Sequence, residues 1–82
     1  MKKLTFHYDA GHGWLEVDAS EIDRLGIAGQ ISGYSYKHGN KVYLEEDCDA
    51  GLYIKAAGIS QDQITEKDDG DSSVIRTFER YK

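Results

Sequence analysis

Three residues near the N-terminus, His7, Asp9 and His12, have side chains of the kind that ligate metal ions. Imidazole nitrogens and carboxylate oxygens are common zinc ligands, but zinc sites usually show paired Cys or His motifs. The spacing here is irregular and no fourth ligand is indicated. We therefore interpret His7 as an exposed strand residue and His12 as a loop residue. We predict no metal site, no cofactor and no enzyme, with a metal-dependent enzyme as the weakest alternative.

A short acidic window precedes a segment with helical spacing. It contains four carboxylates: Glu45, Glu46, Asp47 and Asp49. Acidic side chains gather at helix N-termini, where they accept hydrogen bonds from free amides, and this accounts for about two of the four. The window could also be a contact patch for a basic partner. A hard-cation site is a third interpretation, although apolar residues fall where an EF-hand loop would need ligands.

Cys48, the single cysteine, lies inside this acidic window. A thiol beside a helix N-terminus can have a lowered pKa and be reactive, but a small buried side chain is the interpretation we favour. One cysteine cannot form an intramolecular disulfide, which suits a reducing compartment. The N-terminal lysines are not followed by an apolar stretch, so we expect no signal peptide, and the sequence shows no apolar run long enough for a membrane span. We expect a cytoplasmic protein that does not contact membranes.

The net charge and the aromatic content favour a protein partner over a nucleic acid. The net charge of −5 argues against direct binding of nucleic acids, whose phosphates require Lys and Arg. The chain has six tyrosines, more than a small core needs. Tyr34 and Tyr36 are predicted to share one face of a strand, whose other face carries Gly33 and Ser35. One of the two tyrosines is expected in the core, and an exposed aromatic face would favour a protein interface or a homodimer.

Alternating apolar residues predict the strands. Residues 3–8 and 14–17 should form a hairpin, with Leu15 and Val17 facing the core and Trp14 on the opposite face. A second hairpin should pair residues 31–37 with 41–45 through His38-Gly39-Asn40. A short edge strand is expected near Ile64, and residues 73–81 are β-branched and aromatic, which predicts a final strand.

Two short helices have their ends marked in the sequence. For the first, Asp18 is the predicted N-cap, with Glu21 completing a capping box. It should end at Gly26 in the left-handed conformation; Gly58 should end a second helix over residues 49–57. The chain is therefore predicted to be a single α+β domain. Its antiparallel sheet should have about four to six strands and two short helices on one face, in the order ββαββα followed by one or two strands.

The segments HGWLEV, LGI, ISGYSY and VYLEEDCDAGLYI resemble a group of small, uncharacterised proteins of bacteriophages and bacterial mobile elements. The resemblance covers roughly residues 5 to 59 and brings no functional residue with it. It implies a phage or prophage product that works in the bacterial cytosol. Small acidic proteins from such sources are often inhibitors of host defence, and anti-CRISPR proteins are among them.

We therefore expect a protein without catalytic activity that binds a bacterial host protein. Its predicted contact surface combines the acidic window with the neighbouring tyrosines: Tyr34, Tyr36, Glu45, Glu46, Asp47 and Asp49. The alternative is a small-ligand binder, for example a protein that sequesters nucleotide signals. Loop amides and scattered basic residues would then have to hold phosphate, which the acidic charge balance disfavours.

Overall fold

A mixed β-sheet organises residues 3–82, the part of the chain that the computed structural model describes. Its strands are β1 (Leu4–Tyr8), β2 (Gly13–Asp18), β3 (Tyr36–His38), β4 (Lys41–Glu45), β5 (Ile64–Asp68) and β6 (Glu79–Arg80). The helices are α1 (Ala19–Leu25) and α2 (Ala50–Ala57), and three short 3-10 turns cover Ala28–Gln30, Gln61–Gln63 and Val74–Thr77. The predicted α+β class and the order ββαββα followed by two strands are confirmed.

The strand order across the sheet is β5-β1-β2-β4-β3-β6. All neighbours are antiparallel except β1 and β5, which run parallel. The predicted antiparallel sheet of four to six strands is therefore present, with one parallel pair at its edge. The reason for this parallel pair is the connection: α2 carries the chain from β4 back over the sheet, and a helical crossover of this kind joins strands that point the same way.

One face of the sheet packs against the helices and forms the main apolar core. Leu15 and Val17 of β2 lie opposite Leu44 and Val42 of β4, and all four are buried. Successive side chains along a strand point to opposite faces, so residues two positions apart on each strand face the same core. The core is completed by residues from the helices and loops: Ile22, Ile27, Ile31, Ala50 and Tyr53. The predicted inward positions of β2 and β4 are confirmed.

The C-terminal ends of both helices follow the prediction, and α1 has Asp18 at its N-cap as predicted but without the predicted side-chain bond. Gly26 and Gly58 have φ angles of 69° and 68°, the left-handed conformation that glycine adopts without steric cost. Asp18 occupies the N-cap position without making a side-chain cap bond. Its carboxylate instead accepts a 2.6 Å hydrogen bond from Lys41 Nζ, because Lys41 lies directly opposite on β4. The predicted capping box is therefore wrong.

The segment before β3 is a turn, so the predicted strand over residues 31–37 is wrong except at its end. The carboxylate of Asp49 causes the difference. It accepts hydrogen bonds from the Ser32 amide at 3.1 Å, from the Ser32 hydroxyl at 2.7 Å and from the Ser35 hydroxyl. These bonds hold the loop against the start of α2 and leave only three residues to pair with β4. The predicted hairpin itself is present.

The predicted final strand over residues 73–81 is also wrong. Residues 73–78, which we call the C-terminal strap, contain the 3-10 turn Val74–Thr77 and lie across the second face of the sheet. The Ser73 hydroxyl accepts a hydrogen bond from the Ile75 amide at 3.2 Å and starts the turn. Ile75 then packs on Trp14 and Tyr43. Only Glu79 and Arg80 pair as a strand.

Neither helix within residues 3–82 has the length and apolar character that crossing a membrane requires.

Candidate functional site

The strap, β6 and the turn after β4 surround a groove of about 340 Å³ on the second face of the sheet. We call it the aromatic groove. Its lining combines three aromatic side chains, three basic ones, two acidic ones and a thiol: Trp14, Tyr34, Tyr36, His12, Arg76, Arg80, Glu45, Asp47 and Cys48. The groove therefore brings together four of the six predicted contact residues with five residues that sequence reasoning did not assign to a binding surface.

Aromatic side chains form the floor and one edge of the groove. Trp14 is almost fully buried, and its ring meets the Tyr36 ring edge-on with centroids 6.2 Å apart. Tyr36 is half-buried on the sheet face, whereas Tyr34 lies in the turn before β3 and is 65% exposed. The prediction that both tyrosines share a strand face is wrong, because Tyr34 is not in a strand. The result is a fixed aromatic floor with a free phenol at its edge.

Two arginines lie over these rings. The Arg76 guanidinium is 5.3 Å from the centre of the Trp14 ring, and that of Arg80 is 5.6 Å from the centre of the Tyr36 ring. Such cation–π contacts favour a guanidinium placed over an aromatic face. Arg80 also donates to the Gly33 carbonyl at 2.9 Å. Because this bond uses one of its five donors, the Arg80 guanidinium has others to offer to a bound molecule.

Arg76 is fixed by a buried carboxylate. Its Nε and Nη2 donate to Asp9 at 2.6 and 2.9 Å, in the two-pronged geometry that suits a guanidinium and a carboxylate. Asp9 also accepts hydrogen bonds from the amides of Gly11, His12 and Ser73. The Arg76 bond, assisted by these amides, holds the pKa of Asp9 far below its usual range despite burial. Asp9 thereby joins the β1–β2 loop to the strap.

The three residues considered as metal ligands do not converge. Asp9 is committed to Arg76, while His7 lies between Glu16, at 2.8 Å, and Asp69, at 3.4 Å. The His7 side chain is largely buried, so its prediction as an exposed strand residue is wrong. His12 is an exposed loop residue, as predicted. Within residues 3–82, no three His, Cys, Asp or Glu side chains are grouped so that they could hold a metal ion.

The acidic window divides into two buried and two exposed carboxylates. Glu45 accepts hydrogen bonds at 2.9 Å from the amides of Asp47 and Cys48, and Asp49 holds the loop before β3. Both are buried and satisfied within the chain. Glu46 and Asp47 are exposed. Two of the four acids are therefore structural, but the capping interpretation is wrong, because Asp49 makes no side-chain cap bond to α2 and Glu45 binds amides that precede the helix.

Cys48 is exposed, and our prediction of a small buried side chain is wrong. The reason is the turn over residues 46–48, which the Glu45 carboxylate closes from inside, so that the three side chains point outward. Desolvation and the neighbouring Glu45 raise the pKa of the Cys48 thiol. Negative charges disfavour a thiolate, so the position does not suit a nucleophile. The thiol lines the groove and is a natural point for chemical labelling.

Charges of both signs line the aromatic groove, and Glu45 of β4 lies between Arg76, over Trp14 of β2, and Arg80, over Tyr36 of β3. Arg76 and Arg80 come from the strap and β6, while Glu45 and Asp47 come from the end of β4 and the turn that follows. Sequence reasoning missed the arginines because it placed them in a regular strand. A signal was present, since both occur in the apolar and aromatic run SVIRTFERY, where charged residues need a specific environment.

Comparisons with protein-family models, with curated proteins and with solved structures give no match for this chain.

Proposed function

We propose that this protein is a non-catalytic binding protein whose contact surface is the aromatic groove and its rim. The observation that carries the proposal is the position of Tyr34, exposed at the edge of a groove that Asp47 and Cys48 also line. Tyrosines beside a concave, partly apolar surface are typical of interface centres. Glu46 is exposed on the same turn as Asp47, but it lies beside Phe6 and Ala50 rather than in the groove.

Binding without catalysis is supported by how the ionisable groups are used. Asp9, Glu45 and Asp49 are buried and accept several hydrogen bonds each from groups that hold loops together. His7 is engaged by two carboxylates. A general acid or base must be free to exchange a proton with a substrate. These side chains are instead engaged with other groups of the same chain.

The partner that we propose is a bacterial host protein with a basic surface, and the protein would be a phage or mobile-element product that inhibits host defence. Support comes from the sequence resemblance, from the net charge of −5 and from the exposed carboxylates of Glu46 and Asp47. Complementary charge steers association and disfavours wrong partners. The buried Glu45 and Asp49 would support this surface from beneath without touching the partner.

Paired double variants test the surface. Tyr34→Ala with Asp47→Asn removes an exposed ring and a charge from the groove, whereas Tyr8→Ala with Asp71→Asn removes the same groups elsewhere on the surface. We expect quantitative capture of one stoichiometric bacterial protein by wild type and by the control variant. The groove variant should retain less than about one tenth of it, since interface centres contribute most of the affinity. Equal capture by both variants contradicts the assignment.

A small-ligand binder is the second candidate function. The specific observation is the groove itself, since 340 Å³ lies within the range of small-molecule sites and its walls combine aromatic surface with fixed polar groups. Native mass spectrometry of protein purified from bacteria tests this candidate. A stoichiometric adduct that is lost in Arg80→Gln but kept in Lys55→Gln supports it. An adduct that persists in Arg80→Gln contradicts the placement of the ligand in the groove.

A further inference from the structure

We infer that the aromatic groove binds a zwitterion of amino-acid size that carries an aromatic or apolar side chain. This inference rests on the second candidate function and names its ligand class. A zwitterion presents one positive and one negative group close together. The groove presents two arginines, two carboxylates and aromatic rings within one small cavity.

The strand register places the two kinds of charge within reach of one small molecule. Glu45 ends β4, and Arg80 lies on β6 beside Tyr36 of β3. The strand β3 alone separates β4 from β6, so the two backbones lie roughly 10 Å apart at the usual spacing of neighbouring strands. The long Arg80 side chain lies over Tyr36 within this gap, and Asp47 follows Glu45 by two residues.

The negative group of the ligand would meet Arg80. This side chain is held over Tyr36 and uses one donor on the Gly33 carbonyl. Arg76 can assist, although its charge is already balanced by the buried Asp9. The positive group would meet Asp47, an exposed residue that lines the same groove as the buried Glu45. Each charged end of the ligand thus has a partner of opposite sign.

The same charges disfavour a nucleotide. A phosphate ester brings negative charge alone, and it would lie in a cavity that also contains the carboxylates of Glu45 and Asp47. Of the two arginines, one is committed to Asp9 through two hydrogen bonds. The volume of about 340 Å³ is also near the lower end for ligand sites, which suits a single amino acid or a dipeptide.

The chain contains a built-in reporter for this site. Trp14 is the sole tryptophan, and it lines the groove. Its indole N–H therefore gives a single, assignable signal in a two-dimensional NMR spectrum of ¹⁵N-labelled protein. We would titrate the protein with L-phenylalanine, with phenylalaninamide, with N-acetyl-L-phenylalanine and with AMP. The second probe lacks the carboxylate and the third lacks the ammonium group, while AMP represents the nucleotide class.

We expect a saturable shift of the Trp14 signal with L-phenylalanine and roughly tenfold weaker binding of each analogue that lacks one charge, since each loses one charge-assisted hydrogen bond. Arg80→Gln should remove the preference for L-phenylalanine over its amide. Asp47→Asn should remove the preference over the N-acetyl form. Lys55→Gln and Asp71→Asn change exposed charges that do not line the groove, and they should leave both preferences intact.

Several results would overturn the inference. Equal affinity for all three phenylalanine derivatives means that the charged ends are not recognised. Saturable binding of AMP in preference to L-phenylalanine refutes the zwitterion class but keeps the small-ligand function. If none of the four probes moves the Trp14 signal at millimolar concentration, the zwitterion class fails. The native mass spectrum then decides separately whether a small-ligand function survives.

Discussion

The two faces of the sheet are built on different principles. On the helix face, Leu15, Val17, Val42 and Leu44 make a continuous apolar layer that burial alone stabilises. On the strap face, Trp14 and Tyr43 pack against Ile75 from a segment that is held in place by Asp9. The first face requires only residues of the right polarity. The second requires specific partners, and it is the face that carries the groove.

This difference explains how far the sequence predicts the structure. Alternation along β2 and β4 and the glycines at the helix ends are local signals, and the predictions drawn from them are confirmed. The strap depends on a bond between Asp9 and Arg76, which are 67 residues apart. A local pattern cannot indicate such a bond. In SVIRTFERY the β-branched and aromatic residues favour a strand, and the tertiary bond to Asp9 outweighs that preference.

The candidate site was predicted in part for the same reason. The acidic window and the tyrosines stand out in the sequence, and four of those six residues line the groove. Glu45 and Asp49 could not be distinguished from Glu46 and Asp47, because all are acidic residues in one short stretch. They differ in the hydrogen-bond partners that the fold brings to them, such as the Ser32 amide for Asp49.

The largest expected loss of stability comes from substitutions that each disturb one face of the sheet. Asp9→Ala removes a buried carboxylate that binds Arg76 and three amides, and it should cost about 3 kcal/mol of unfolding free energy. Leu44→Ala on the helix face should cost a similar amount through the cavity it leaves. Hydrogen exchange distinguishes them. Asp9→Ala should raise exchange mainly in residues 73–78, and uniform loosening of both faces would contradict this account.

Lowering the pH should reproduce part of the stability loss expected for Asp9→Ala. The pKa of Asp9 is lowered by folding, so its contribution to stability is complete above its ordinary value of 3.8 and is lost as pH falls below that value. The pKa of Asp69, which accepts a hydrogen bond from Ser73, is lowered as well and acts in the same direction. Urea denaturation at decreasing pH measures the loss. In Asp9→Asn, the unfolding free energy should fall less steeply with decreasing pH than in wild type. An identical pH dependence in the two proteins would exclude Asp9 as the source of the acid effect.

Glycine substitutions in α2 and at its C-terminal end should change stability by smaller amounts, and they affect the helix face alone. Gly58→Ala places a side chain at a φ of +68° and should destabilise the protein by about 1 kcal/mol. Gly51→Ala, within α2 and with open space around the added methyl group, should stabilise it by about 0.5 kcal/mol. Chemical denaturation measures both. Neither change should alter the Trp14 indole signal, because α2 packs on the opposite face. A shift of that signal would show that the two faces are coupled.

The most direct test of the groove as the binding surface uses its own thiol. Cys48 is the sole cysteine, it is exposed and it lines the groove. A bulky maleimide attached there should abolish capture of the bacterial partner, while the amide NMR spectrum of residues on the helix face stays unchanged. Cys48→Ser treated with the same reagent should capture the partner normally. Undiminished capture by the fully labelled protein would place the binding surface elsewhere on the molecule.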